Sequence, residues 1–300
     1  MKIILILTTV VLTTAAAPAH AALDVFTCEP EWAALAGELG GNLVEAESAT
    51  TPQQDPHYIQ ARPSLIAKVR SADLVLCTGA DLEVGWLPLL LRQAGNASVQ
   101  PGQPGYMTAS DYVELLDKPA SLDRSLGDVH PYGNPHIQTD PRNIGKVAAA
   151  LVERLAMLDQ ANAATYRSRY TDFQSRWQSA LERWTAAIVP LRGRQVVTHH
   201  KGWVYLESWA GLVEVGNLEP KPGLPASAAH LAELLDQLQG KQVAVIIRSV
   251  YEDGKASEWL AARTSIPHVV LPHTVGSVPG AEDLFGMFDV IVKTLLEAHP

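Results

Sequence analysis

From Ala163 to Ile188, large side chains return every three to four positions: Tyr166, Tyr170, Phe173, Trp177, Leu181 and Trp184, with Pro190 ending the pattern. That period predicts one helix of roughly 25 residues, about 38 Å long at 1.5 Å per residue. A helix of this length can run from one domain to another. The rest of the chain is read around it.

On its N-terminal side, short apolar runs alternate with helical patterns. Leu23 to Cys28 and Val44 to Ala46 read as strands, as does Ala72 to Cys77; Glu31 to Leu39 and Pro63 to Arg70 read as helices. The stretches Gly95 to Gly105 and Lys118 to Pro135 are rich in turn formers. Asp140-Pro141, an N-cap followed by proline at the first helical position, opens a helix carrying Ile144, Val147, Leu151 and Leu155. After the long helix the alternation restarts. Strands are expected at Gln195 to His200, Leu212 to Val215, Val243 to Ile247 and His268 to Leu271, and the last helix at Leu284 to Ala298. Alternation of this kind specifies parallel sheets with crossover helices. The expected fold is α/β: an N-terminal lobe at 22–160, a linking helix at 161–190 and a C-terminal lobe at 191–300, each lobe a parallel-sheet α/β domain.

Lys2, the apolar run IILILTTVVLTTAAA and Ala19-His20-Ala21 form an export signal, residues 1–21, with cleavage expected before Ala22. No later apolar run reaches the ~18 residues of a spanning helix, so a periplasmic protein is expected. With 32 acidic residues against 23 basic ones, the formal charge of -9 disfavours a nucleic-acid partner. The two cysteines exclude a disulfide-rich scaffold. Cys28 and Cys77 are read as buried thiols on neighbouring strands in preference to a disulfide.

Parallel α/β sheets bind ligands beyond the carboxyl ends of their strands, which singles out certain histidines. His57 lies in QQDPHYIQARPSL, His130 and His136 in GDVHPYGNPHIQTDP, and His199 and His200 at the end of QVVTHH. His230, His268, His273 and His299 are assigned structural or solvated roles, and His20 leaves with the signal. Three imidazoles from separate loops, completed by a carboxylate from Glu282 or Asp283, suit a borderline-soft divalent cation such as zinc. The spacing is no compact metal motif, and each histidine taken singly reads as an ordinary hydrogen-bonded loop residue.

Five ordered segments sharpen this: DPHYIQARPSLIAKVRSADLVLCTGADLE, GNPHIQTDPRN, HKGWVYLESWAGL, EPKPGLPASAAHL and LPHTVGSVPGAEDLFGMFD. Together they resemble the zinc and manganese solute-binding proteins of ABC importers, the cluster A-I family, over essentially the whole exported chain. The resemblance implies two α/β lobes on one long helix, with metal ligands at His57, His136, His200 and Asp283, Glu282 being the neighbouring alternative to Asp283. It implies Zn2+ as the transported ligand, with Mn2+ second because manganese favours more oxygen donors. The implied partner is an inner-membrane ABC permease serving a monomeric binding protein; a periplasmic zinc chaperone is a second partner to test. Strand alternation points His199 and His200 oppositely, so only one is expected to face the site. Unlike many zinc-specific relatives, the chain carries no histidine between Gln100 and Gly127, which leaves His130 as the one candidate auxiliary ligand. A zinc hydrolase, with Glu282 as general base, and an adhesin or periplasmic zinc chaperone sharing the same site are the rival functions.

Overall fold

Four apolar runs in the first half pair in parallel as β1 (Leu23–Thr27), β2 (Val44–Ser48), β3 (Leu74–Cys77) and β4 (Tyr106–Thr108), in the order β2-β1-β3-β4. The computed structural model describes residues 22–119, 127 and 129–298; the export signal lies outside them. β3 is buried along its whole length, as its unbroken Leu-Val-Leu-Cys run requires of a central parallel strand. The helices of this lobe are α1 (Pro30–Gly40), α2 (Pro63–Ser71), α3 (Leu87–Ala94) and α4 (Pro141–Leu158). Asp140 caps α4 by accepting from the Arg142 N–H at 2.8 Å, as the Asp-Pro pair predicts. Between β3 and α4 the chain also forms α3 and β4, for which the sequence reading names no element. β4 is only three residues long, and α3, with Leu87, Leu90, Leu91 and Ala94 on its buried face, follows directly on a run of turns at 80–86.

The cysteines correct the sequence reading. β1 and β3 are hydrogen-bonded neighbours, and the Cys28 N–H donates to the Leu76 carbonyl at 3.0 Å. This brings the two Cα atoms to 4.7 Å, and Cys28 and Cys77 form a disulfide. The separation lies within the range a bridge requires.

The second half repeats the arrangement. Strands β5 (Gln195–Thr198), β6 (Val213–Asn217), β7 (Val243–Arg248) and β8 (His268–Val270) lie in the order β6-β5-β7-β8. Their helices are α6 (Val204–Ala210), α7 (Ala228–Gln237), α8 (Lys255–Thr264) and α9 (Leu284–Glu297). In both sheets the chain starts centrally, moves to one edge, then crosses to the other side.

Between the halves runs α5 (Ala163–Ala187), 25 residues long. Its Phe173, Trp177 and Trp184 are buried against Phe285 and Phe288 of α9, with ring centroids 4.9 Å apart for Trp177–Phe285 and 5.3 Å for Trp184–Phe288. Tryptophan brings a polar N–H into such a core, and both are satisfied. Trp177 donates to the Pro141 carbonyl at 2.9 Å and Trp184 to Asp289 Oδ1 at 2.6 Å. Aromatic pairs of this kind contribute roughly 0.5–1.5 kcal/mol each beyond their buried area. One hydrophobic cluster consequently runs from Trp32 and Leu76 in the first lobe through α4 and α5 to Val196 and Val245 in the second. The lobes share a core, and their carboxyl strand ends meet across a cleft.

Candidate metal centre

Three loops deliver histidines to that cleft. His57 stands in the loop between β2 and α2, where Asp55 accepts from its backbone N–H at 3.0 Å and from its ring Nδ1 at 2.7 Å. The His57 side chain is 8 % exposed, and Nε2 is buried with no hydrogen-bond partner. An orphaned buried nitrogen is costly unless something binds it.

His136 precedes the short 3-10 turn Ile137–Thr139 that leads into α4. Asn134 fixes this loop: its Oδ1 accepts from the His136 N–H at 3.0 Å and its Nδ2 donates to the Lys201 carbonyl of the second lobe at 2.6 Å. The Tyr205 hydroxyl, also from the second lobe, donates to the Asn134 carbonyl at 2.6 Å. Gly133 is required here, since its φ of 127° is left-handed and a Cβ would stand 2.7 Å from the Leu116 carbonyl.

His200 follows β5, and its Nδ1 lies 2.8 Å from Glu219 Oε2. Glu219 is held in turn by the Gly223 N–H at 2.9 Å. His199 turns elsewhere, as strand alternation predicts: it is outside the cluster, its Nδ1 buried with no hydrogen-bond partner.

The ligand atoms of His57, His136 and His200 all lie within 4.8 Å of one another, and Nε2 of His136 and of His200 are 3.3 Å apart. A tetrahedral zinc with Zn–N near ~2.0–2.1 Å has N···N edges of about 3.3–3.4 Å. The three ring pairs are 5.3, 5.6 and 5.3 Å apart between centroids. Carboxylates on Nδ1 of His57 and His200 turn Nε2 of each toward the ion and increase its basicity, the arrangement typical of zinc-bound imidazoles.

The electrostatics suit a cation. Burial, reinforced by the neighbouring imidazoles of His57 and His200, holds His136 in the neutral form well below the usual histidine range. Burial works to raise Asp55, but the hydrogen bond and charge of His57 outweigh it and keep the carboxylate below its ordinary value. For His200, burial is outweighed by its hydrogen bond to Glu219 and by that carboxylate's charge, which raise it.

Asp283 does not join the three histidines. It is the N-cap of α9, exposed, and its Oδ1 accepts from the Gly286 N–H at 2.7 Å. Glu282 accepts from the Gly280 N–H at 2.9 Å. Both acidic residues are spent on the turn that starts the helix, a local use that a carboxylate ahead of an apolar run commonly serves.

The structure adds residues that the sequence reading left out. Asp55 and Glu219 hold the rings of His57 and His200, and an acidic residue two positions before His57 was a legible signal for the first. Glu252, buried near His200, is pushed up to about 7 by burial. His273 is buried at the mouth of β8 and pushed down to about 4 by burial; its imidazole acts electrostatically on His136.

Two α/β lobes on a shared helix, with three buried imidazoles converging in the cleft between them, define a metal-binding protein of the two-lobed class. The chain belongs to the family described as "ZnuA: Zinc-uptake complex component A periplasmic", whose model matches residues 25–298. Members of this family deliver zinc to ABC importers. The chain is 24% identical over 304 residues to the high-affinity zinc uptake system protein ZnuA of Paracoccus denitrificans, covering 89% of each chain. It is 22% identical to the manganese ABC transporter substrate-binding lipoprotein PsaA of Streptococcus pneumoniae, covering 82% of this chain and 77% of that one. In fold it is similar to a zinc-bound ZnuA deletion mutant, with a TM-score of 0.76 at 21% identity, over 93% of this chain and 98% of the other. Among the described residues, no helix is long and apolar enough to cross a membrane.

Proposed function

We propose that this chain captures Zn2+ in the periplasm with Nε2 of His57, His136 and His200 and releases it to an ABC permease, without turning over a substrate. The observation that carries the reading is the convergence of three ring nitrogens within 4.8 Å of one another, one pair of them at the 3.3 Å edge of a zinc tetrahedron, with two of the imidazoles backed by carboxylates. Nitrogen donors favour zinc over manganese, which prefers oxygen. A hydrolase needs a base within hydrogen-bond reach of metal-bound water, and Glu282, the base considered for that role, is engaged with Gly280 in an exposed turn. Export with removal of residues 1–21 and action as a monomer complete the proposal. A periplasmic zinc chaperone fits as donor, because the imidazoles are reached through an open cleft.

The test is competitive zinc titration of metal-depleted protein carrying His57→Ala, His136→Ala or His200→Ala. Each substitution is expected to weaken zinc binding by roughly a hundredfold or more, since loss of a supporting residue alone costs about 10–100-fold. Wild-type affinity in all three would overturn the assignment, and manganese preference in the unaltered protein would overturn the choice of metal.

A further inference from the structure

Three nitrogens leave one corner of a tetrahedron to fill, and the acidic residues expected there are engaged elsewhere. His130 stands beside His57, outside the cluster of three. Its ring centroid is 5.4 Å from that of His57, matching the 5.3, 5.6 and 5.3 Å spacings within the trio. Four imidazoles around one ion make six ring pairs, and four of the six already stand at this separation. His130 also lines a cavity of about 230 Å³ together with His136, His200, Asn134 and Lys201. The same residue borders a second hollow beside His57 and Tyr58. The two remaining pairs, His130 with His136 and with His200, close when the His130 side chain turns into the cavity it already borders.

We propose, resting on the zinc reading above, that His130 is the fourth ligand and that the shell is made of four imidazoles. Local structure places it for this. The Gly133 N–H donates to the His130 carbonyl at 3.2 Å, closing a turn that brings the ring to the cleft six residues ahead of His136. Charge balance agrees. Four neutral imidazoles leave the two positive charges of zinc to be met by Asp55 and Glu219, one carboxylate behind His57 and one behind His200. A directly bound Asp283 would add a third negative charge to a site already balanced.

The experiment compares wild type, His130→Ala and Asp283→Asn by competitive zinc titration and by the visible absorption of the Co2+-loaded proteins. His130→Ala is expected to lose roughly tenfold or more in zinc affinity, given the size of such losses even for residues behind the ligands. It is also expected to change the cobalt band intensity as water replaces nitrogen. Asp283→Asn keeps the cap of α9 and is expected to match wild type in both readouts. A His130→Ala protein with wild-type affinity and spectrum overturns the proposal, as does transfer of the loss to Asp283→Asn. In those outcomes His57→Ala still abolishes tight binding, and the zinc reading stands. Zinc binding that survives all three trio substitutions removes both.

Discussion

His57 and His200 face the same problem: an imidazole must present Nε2, unprotonated, in a fixed direction. Asp55 and Glu219 solve it from the other side of each ring, at 2.7 and 2.8 Å. Each carboxylate fixes the tautomer and also lends its charge to the bound ion. Asp55→Ala and Glu219→Ala are therefore expected to weaken zinc binding about 10–100-fold, although neither residue is a ligand. Asp55→Asn should lose less, because its amide oxygen still accepts the Nδ1–H while the charge is gone. Equal losses for Ala and Asn would assign the whole effect to charge, and no loss in either would remove the supporting role. At this scale the sequence made legible which histidines meet: His57, His136 and His200 each sit at a strand-to-helix junction, and the structure brings them into one cluster. At Asp283 capping α9 and binding metal are both good uses of one carboxylate, and the geometry shows the cap.

Helix α6 illustrates how an element can carry a cost for the position it holds. It begins four residues after His200 and packs Tyr205, Leu206 and Trp209 inward. On it, Glu207 is pushed up to about 8, chiefly by burial and then by the charge of Glu214, and its Oε1 is buried with no hydrogen-bond partner. The unfolded chain ionises this carboxyl near its ordinary 4.5, whereas the folded chain keeps the proton until about 8. Between those values the folded state binds more protons, so stability falls as pH rises through the window and levels off above it. Glu207→Gln removes that dependence. Urea unfolding is expected to show the variant more stable than wild type at pH 8.5, by on the order of a few kcal/mol at most, with the gap narrowing toward pH 4.5. A gap that stays constant with pH would sink the idea. The elements themselves were legible wherever a pattern ran for two turns or a full apolar strand, as in α4, α5 and β3. β4, at three residues, is too short to show one, and α3 is the exception: its two-turn face of Leu87, Leu90, Leu91 and Ala94 is hidden behind the turns that precede it. The disulfide was missed for a different reason. The two strands were read as neighbours, but no feature local to Cys28 or Cys77 tells two buried thiols from a bridge; the register that brings their Cα atoms to 4.7 Å decides it.

Across the whole molecule, the continuous cluster through α4, α5 and α9 and the zinc site lie on different sides of the same junction. The cluster ties the lobes along the helix side through Trp177, Trp184 and Phe288. On the cleft side, His57 and His136 come from one lobe and His200 from the other, so a bound ion staples the two together. A shared core predicts that the lobes unfold as one unit. Zinc binds the folded state only, and at a free concentration a hundred times its dissociation constant it should stabilise by about 2.7 kcal/mol. For a chain of this size each kcal/mol raises the melting temperature by roughly 2–4 °C, so loading should move a single transition up by about 5–10 °C. Calorimetry of metal-depleted protein with and without zinc, run beside His200→Ala, checks this. The expected record is one cooperative peak that shifts in wild type and stays in the variant. Two peaks, with only one responding to zinc, would mean that the lobes melt separately and that the ion is held by one of them alone.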